Sequence, residues 1–161
     1  MKAYIINKQL DDIVATVFRQ TMFAEFEHLI HSKAEAGTPI TLQTIRSTYR
    51  SLLESYFGPE VEIPEEGELE ALRIPHFYRA FYVYKYATGL SAAVSLSSRV
   101  LEGGEAEREQ YLSFLKSGGS RFPLESLELA GVDMSSPEPI RTTLRNFESM
   151  LEELERYFAL K

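Results

Sequence analysis

The sequence predicts an all-α protein, a bundle of long antiparallel helices with shorter helices attached. Apolar residues recur at steps of three and four over several windows, which is the pattern of a helix with one buried face. Glycines and prolines lie between these windows, where helices begin and end. The alternation of apolar and polar residues that a half-buried strand needs does not extend over any long window. With 161 residues and no internal repeat, we expect one helical domain spanning residues 1–161.

Composition narrows the classes of function. The chain carries a formal net charge of -7 and a pI near 5.1, which disfavours binding to nucleic acid or to anionic membranes. It has no cysteine, so disulfides and thiolate metal sites are excluded and a reducing compartment fits. No apolar run approaches the ~18 residues of a membrane span, and the N-terminus lacks signal-peptide features. We therefore expect a soluble cytoplasmic protein.

The first two helices are clearly marked in the sequence. An amphipathic helix is predicted from Leu10 to about Ala36, and Gly37 is placed to end it. Thr41 is placed to cap a second, antiparallel helix that continues to Gly58.

An acidic stretch follows the second helix. Its carboxylates could suggest calcium, but no EF-hand loop pattern is present, so we interpret the stretch as solvated. The carboxylates are Glu60, Glu62, Glu65, Glu66, Glu68 and Glu70. Glu68 to Arg73 is expected to make a short helical turn, and Pro75 biases Ile74 towards an extended conformation. His76 is therefore expected at or just before a helix start.

Three helices are predicted next. A long helix is expected from about Phe77 to Leu101, and the small residues of its second half would let neighbours approach closely, which makes it central. Two short helices follow, Glu105 to Lys116 and Phe122 to Ala130. The first of them should bury Tyr111, Phe114 and Leu115.

The last helix should pack lengthwise on another helix. Ser136 followed by Pro137 predicts an N-cap with proline at the first helical position. Apolar residues then alternate steps of four and three, which is typical of a packing seam. The seam residues are Ile140, Leu144, Phe147, Leu151, Leu154 and Phe158.

The stretch Arg73–Gly89 is the strongest candidate for a functional site. It contains His76 followed by four tyrosines, Tyr78, Tyr82, Tyr84 and Tyr86. On the predicted helix, an i, i+4, i+8 row facing one cleft would be formed by Tyr78, Tyr82 and Tyr86. Tyr84 would point elsewhere. A phenol keeps its proton up to about pH 10 and can donate to a developing oxyanion. The alternative is that these tyrosines are amphipathic core residues at a helix interface.

Two further histidines, His28 and His31, follow glutamates on the first predicted helix. Two histidines three residues apart with nearby carboxylates could in principle bind a metal. Their spacing is not that of a His-Glu-x-x-His motif, so we interpret them as surface or packing residues.

Three strings of residues stand out along the chain. They are Thr-Val-Phe-Arg-Gln-Thr-Met-Phe-Ala-Glu-Phe-Glu at 16–27, Arg-Ile-Pro-His-Phe-Tyr with Phe-Tyr-Val-Tyr-Lys-Tyr-Ala-Thr-Gly within 73–89, and Ala-Gly-Val-Asp-Met at 130–134. Together they resemble the C-terminal region of oligoendopeptidase F, a bacterial branch of the thimet-oligopeptidase-like zinc metallopeptidases. The resemblance covers nearly the whole chain.

The resemblance implies that the chain is part of a larger helical metallopeptidase catalytic domain. In that family a His-Glu-x-x-His helix and a further glutamate hold zinc. This chain lacks the motif, so it is expected to supply no metal ligand, and zinc belongs to the full-length family enzyme. The residues that carry over as hydrogen-bond donors to substrate and transition state are His76, Tyr78 and Tyr82. The resemblance implies that substrate binding involves Tyr84, Tyr86 and Arg73. It does not determine whether Tyr84 or Tyr86 faces the cleft.

Two classes of function follow from the resemblance. In the first, the chain is the C-terminal portion of a cytoplasmic zinc oligopeptidase that hydrolyses short peptides, and it is inactive without the missing N-terminal part that carries the zinc motif. In the second, it is a non-catalytic peptide-binding or assembly module; a third alternative is one subunit of a split enzyme. If the chain is cut from a larger enzyme, the surface that the missing part covered is exposed, so we expect an apolar or aromatic patch around Tyr78, Phe81 and Tyr82 that could support self-association.

Overall fold

The computed structural model describes residues 1–159, and these residues contain no strand, so the predicted all-α class is confirmed. None of their helices is both long enough and apolar enough to cross a membrane. The α-helices are α1 (Lys2–Ile13), α2 (Arg19–Glu35), α3 (Leu42–Phe57), α4 (Tyr84–Glu102), α5 (Glu105–Ser117), α6 (Pro123–Leu129) and α7 (Glu138–Ala159). A π-helical segment covers Val14–Phe18, and two 3₁₀ helices cover Glu65–Arg73 and Pro75–Tyr78.

The chain divides into two compact units. The central unit is Phe18–Ala87, and the terminal unit combines Met1–Val17 with the described residues from Thr88 onward. Every residue of the predicted site lies in the central unit.

The core of the central unit is built by α2, α3 and the 3₁₀ helix Glu65–Arg73. Helix α3 packs against both of the other elements. The chain then returns to α2, where the Phe77 ring lies 5.6 Å from Phe23 and 5.3 Å from Phe26, centroid to centroid. Burying one large apolar side chain stabilises a fold by about 1.5–3 kcal/mol. The buried residues are Met22, Phe23, Phe26, Tyr49, Leu52, Leu53, Ala71, Ile74 and Val83.

Several helix boundaries match the sequence predictions. Gly37 follows α2 with a φ of 76°, the left-handed conformation that glycine adopts without steric cost. The Thr41 hydroxyl accepts a hydrogen bond from the Thr44 N–H at 3.1 Å and caps α3. The Ser136 hydroxyl accepts one from the Glu138 N–H at 3.2 Å at the start of α7.

The first helix begins earlier than predicted. Helix α1 starts at Lys2 instead of Leu10, and the π-helical segment separates it from α2. Ile6 and Leu10 of α1 are buried together with Leu154 of α7. Because this packing joins positions far apart in the sequence, the local pattern near the N-terminus did not reveal it.

The predicted seam of α7 is partly wrong. Leu154 is buried and Phe147 packs beside it, together with Met150 and Tyr157. The buried face is therefore rotated away from the predicted seam, because α1 covers one side of the apolar stripe. The seam residues left exposed are Ile140, Leu144, Leu151 and Phe158.

Helix α4 packs through small residues, as the sequence predicts. Its Ala92 and Leu96 form a buried cluster with Ala130 and Val132. Tyr111 and Phe114 of α5 pack against this cluster. Leu115 was expected to be buried as well but is exposed, since only a narrow face of α5 is covered.

The Thr41 cap gives a direct test of the α3 boundary. Thr41→Ala removes the hydroxyl that accepts the Thr44 N–H, so we expect a loss of about 1 kcal/mol in the free energy of unfolding. Urea denaturation followed by circular dichroism measures it. Thr38→Ala is the control, because Thr38 is exposed in the same connection, and its effect should stay within about 0.5 kcal/mol. Equal losses for the two variants would contradict the cap.

Candidate functional site

The candidate site lies on the segment between Ile74 and Val83, which is anchored at both ends. Ile74 is extended, with φ -82° and ψ 109°, as the following proline requires, and the 3₁₀ helix Pro75–Tyr78 comes next. Phe77 packs on the aromatic core, and Val83 is fully buried. The packing of Phe77 and Val83 holds the backbone of the segment between them in place.

The predicted helix start at Phe77 is wrong, since α4 begins at Tyr84. Between the 3₁₀ helix and α4, the backbone turns at Phe81. This residue has a φ of 55°, a left-handed conformation that a bulky L-residue rarely adopts. Its N–H donates to the carboxylate of Glu27 on α2 at 2.6 Å. Because the backbone turns here, the tyrosines do not form a continuous row on one helix face.

Three of the predicted side chains nevertheless meet, and we call them the His–Tyr cluster: His76, Tyr82 and Tyr86. The rings of His76 and Tyr82 stack with centroids 5.9 Å apart and planes inclined by 17°. Tyr86 lies edge-on to both, 5.9 Å from His76 and 5.5 Å from Tyr82. The Tyr86 hydroxyl donates to the Tyr82 hydroxyl at 3.2 Å. An open cavity of about 340 Å³ beside the cluster is lined by Pro75, His76, Arg79 and Tyr82.

The other three predicted residues occupy different positions. Tyr78 is 85% exposed, and Tyr84 is exposed at the first position of α4. Arg73 donates to the Glu70 carboxylate at 2.9 Å and lines a separate cavity of about 430 Å³. The structure therefore brings together one histidine and two tyrosines out of the six predicted residues.

The expected apolar patch is present in part. Tyr78 and Phe81 are exposed, whereas Tyr82 is half-buried in the His–Tyr cluster. Self-association through this patch stays a prediction.

An ionic network holds the 3₁₀ helix that leads into the cluster. Glu70 accepts hydrogen bonds from the Tyr49 hydroxyl at 2.7 Å, from Arg73, and from Arg19 of α2. Glu68 accepts one from Arg46 of α3 at 2.9 Å. These bonds fasten the segment immediately before Ile74 and His76 to two long helices.

The interpretation of the acidic stretch as solvated is wrong for two of its carboxylates. The side chains of Glu68 and Glu70 are 17% and 18% exposed. Their arginine partners Arg19 and Arg46 lie on other helices, so sequence proximity did not reveal the pairing. Partly buried carboxylates are retained when cations and hydrogen-bond donors compensate for lost hydration.

Hydrogen bonding and burial raise the pKa of tyrosine hydroxyls in the central unit. Donation to the Tyr82 hydroxyl raises the pKa of Tyr86 above its ordinary value, because the bond stabilises the protonated form. Burial raises the pKa of Tyr49, and its bond to the Glu70 carboxylate adds to this. Since Tyr86 is the donor within the cluster, the hydroxyl proton of Tyr82 is left for another acceptor.

The side chains that the structure describes do not fit a zinc site. Within residues 1–159, no group of three or more His, Cys, Asp or Glu side chains could hold a metal ion. His31 packs its ring against Phe81, with centroids 4.8 Å apart, and His28 is exposed.

Sequence reasoning missed Glu27, which is buried and contacts the site segment. It lies on α2 among the core residues Phe23 and Phe26. A carboxylate on an otherwise apolar helix face was the available signal, because a buried acid needs a specific partner. Arg79, which lines the cavity beside the cluster, was missed as well.

Comparison with known proteins identifies the family. The chain matches Peptidase family M3 over residues 1–146. It belongs to that family. The resemblance to oligoendopeptidase F is thereby confirmed.

Several M3 relatives are closely similar. Oligopeptidase PepF of Bacillus subtilis is 51% identical over 154 residues, which cover 96% of this chain and 23% of that protein. An oligoendopeptidase F homolog of Borreliella burgdorferi is 46% identical over 96% of this chain and 26% of its own length. The chain thus spans about a quarter of the length of the curated relatives that it matches.

A crystal structure supports the fold assignment within the M3 family. Oligoendopeptidase-F from Enterococcus faecium superimposes with a TM-score of 0.96 at 43% sequence identity. The match covers 99% of this chain and 30% of that one. The arrangement of helices described above is therefore shared with a solved member of the family.

The hydrogen bond within the His–Tyr cluster can be tested by titration. Tyr82→Phe removes the acceptor of the Tyr86 hydroxyl, so the pKa of Tyr86 should fall towards the ordinary value of about 10. NMR of ¹³C-labelled tyrosine against pH follows this group. Tyr78→Phe serves as control, because Tyr78 is exposed outside the cluster, and it should leave the pKa of Tyr86 unchanged. An unchanged Tyr86 titration in Tyr82→Phe would contradict the described bond.

Proposed function

We propose that this chain supplies the histidine and tyrosine wall of the peptide-binding cleft in a zinc-dependent oligopeptidase of family M3. The observation that carries the proposal is the His–Tyr cluster, in which Tyr86 donates to Tyr82 beside the stacked His76 ring. Membership in a peptidase family supports peptides as the substrate class. The chain forms the C-terminal part of one helical catalytic domain in this proposal.

The proposed chemistry of the cluster is hydrogen-bond donation. Attack on a peptide carbonyl places negative charge on its oxygen, and preorganised donors stabilise that charge. Tyr82 has its proton free for this role because Tyr86 already donates to its oxygen. A donor that accepts a hydrogen bond is polarised and becomes a stronger donor. His76 can donate through a ring N–H beside the same cavity.

The remaining predicted residues take part through substrate contacts. The exposed Tyr78 is proposed as a further donor to the substrate and transition state, while Tyr84 and Arg73 are proposed to contact the bound peptide. The exposed Arg73 guanidinium donates to the Glu70 carboxylate at 2.9 Å.

Metal chemistry enters this proposal only from residues outside this chain. The M3 resemblance implies zinc in the full-length enzyme, whereas residues 1–159 contain no set of three suitable ligands. We therefore propose that the 161-residue chain alone is inactive and that the complete enzyme works in the cytoplasm. Zinc-dependent cleavage of a fluorescence-quenched peptide by the purified chain would overturn the inactivity.

The role of Tyr82 can be measured in a chimera in which residues 1–161 replace the matching segment of Bacillus subtilis oligopeptidase PepF. Tyr82→Phe keeps the ring but removes the donor, so kcat on a quenched peptide should fall about a hundredfold with little change in KM.

The matched control is Tyr111→Phe. Tyr111 belongs to the terminal unit, where it packs beside Ala92 and Leu96, and it is not a member of the His–Tyr cluster. Its variant should retain the kcat of the parent chimera. If Tyr82→Phe retains it too, the proposed donor role of Tyr82 is wrong.

A further inference from the structure

Phe81 adopts an unfavourable backbone conformation directly before Tyr82. Among residues 1–159, it is the only residue other than glycine with a positive φ. A left-handed conformation crowds the Cβ atom of an L-residue, and a bulky aromatic residue gains nothing locally to offset this. Such a conformation persists only where surrounding contacts impose it.

Two residues of α2, Glu27 and His31, contact Phe81 at this turn. The Glu27 side chain oxygen accepts the Phe81 N–H at 2.6 Å, and Glu27 is only 5% exposed. One turn further along α2, the ring of His31 lies 4.8 Å from the Phe81 ring. Two residues at positions i and i+4 of one rigid helix thus hold both the backbone and the side chain of Phe81.

The environment of Glu27 indicates a dedicated role. Among the ion pairs of residues 1–159, none involves Glu27, so no cation offsets the loss of hydration of its carboxylate. A buried carboxylate is costly unless it makes a strong hydrogen bond. An apolar side chain would pack at this position without that cost. What the carboxylate adds is the bond to the Phe81 N–H.

The turn at Phe81 sets the direction in which Tyr82 leaves the backbone. Val83 is fully buried immediately afterwards, and α4 begins at Tyr84. Tyr82 is therefore placed between a residue held by Glu27 and a residue held by the core. A change at Phe81 would move Tyr82 relative to His76, against which it stacks.

We propose that Glu27 is a positioning residue for the His–Tyr cluster: it holds Phe81 in its left-handed turn and thereby orients the Tyr82 hydroxyl. Its significance for peptide hydrolysis rests on the proposed function above. Glu27 itself contacts the backbone of Phe81 and touches no reacting atom in this proposal.

The first test uses the 161-residue chain and NMR-detected amide hydrogen exchange. Glu27→Ala should increase exchange at the Phe81 amide about tenfold or more, while the amides of Leu52 and Leu53 in the α3 core keep their protection. The ring resonances of Tyr82 should shift in the same variant. Unchanged exchange at Phe81, or an equal increase at Leu52 and Leu53, would overturn the proposal.

A second variant, Glu27→Gln, tests the same contact with a smaller change in packing, in case Glu27→Ala does not fold. Glu27→Gln keeps a side chain oxygen that can accept the Phe81 N–H but removes the charge, so the Phe81 amide proton should move upfield, with a smaller loss of protection than in Glu27→Ala. The matched control is Glu25→Gln, since Glu25 lies on the same helix and accepts instead from the Tyr56 hydroxyl at 3.0 Å. An unshifted Phe81 amide in Glu27→Gln would overturn the proposal without reference to Glu27→Ala.

The PepF chimera gives the catalytic readout. Glu27→Gln should lower kcat about tenfold with little change in KM, whereas Glu25→Gln should match the parent. If Tyr82→Phe lowers kcat and Phe81 loses protection in Glu27→Gln, but Glu27→Gln leaves kcat unchanged, positioning of Tyr82 by Glu27 is refuted. Failure of the proposed function is recognised separately, because then Tyr82→Phe itself leaves kcat unchanged.

Discussion

Phe77 packs between Phe23 and Phe26 of α2, and this contact holds the short 3₁₀ helix that carries His76. A helix of four residues has little stability of its own, so its position depends on tertiary packing. The ionic network around Glu70 fastens the preceding 3₁₀ helix to α2 and α3. The aromatic contact of Phe77 and the hydrogen bonds of Glu70 together hold the candidate site on a segment with little regular structure.

In the proposed function, the His–Tyr cluster supplies one half of an active site. The Tyr86 hydroxyl donates to the Tyr82 hydroxyl, which leaves the Tyr82 proton for another acceptor. Within residues 1–159, no group of three or more His, Cys, Asp or Glu side chains could hold the metal that the family resemblance implies. A separation between these donors and the metal site is physically reasonable. Donors that stabilise a developing charge act through their orientation, so they can lie on a different part of a chain from the groups that activate water.

Much of the fold was predictable because its signals are local. The Thr41 cap and the glycine at Gly37 act within a few residues of themselves, and both helix ends agree with the prediction. The α7 seam was predicted less well. The apolar stripe of α7 is wider than the face that α1 covers. The spacing of apolar residues therefore predicted the helix, but it did not predict which side of the helix is buried.

The sequence by itself determined the all-α class, the helix ends set by caps and glycines, and the family, because each of these depends on residue type and short-range spacing. Only the tertiary structure decided the course of the chain through the candidate site. The Phe81 N–H donates to Glu27 across 54 positions of sequence, at the turn that lies between the 3₁₀ helix Pro75–Tyr78 and α4. Local propensity does not depend on so distant a partner, so the sequence predicted a continuous helix from Phe77 where the structure has a turn at Phe81.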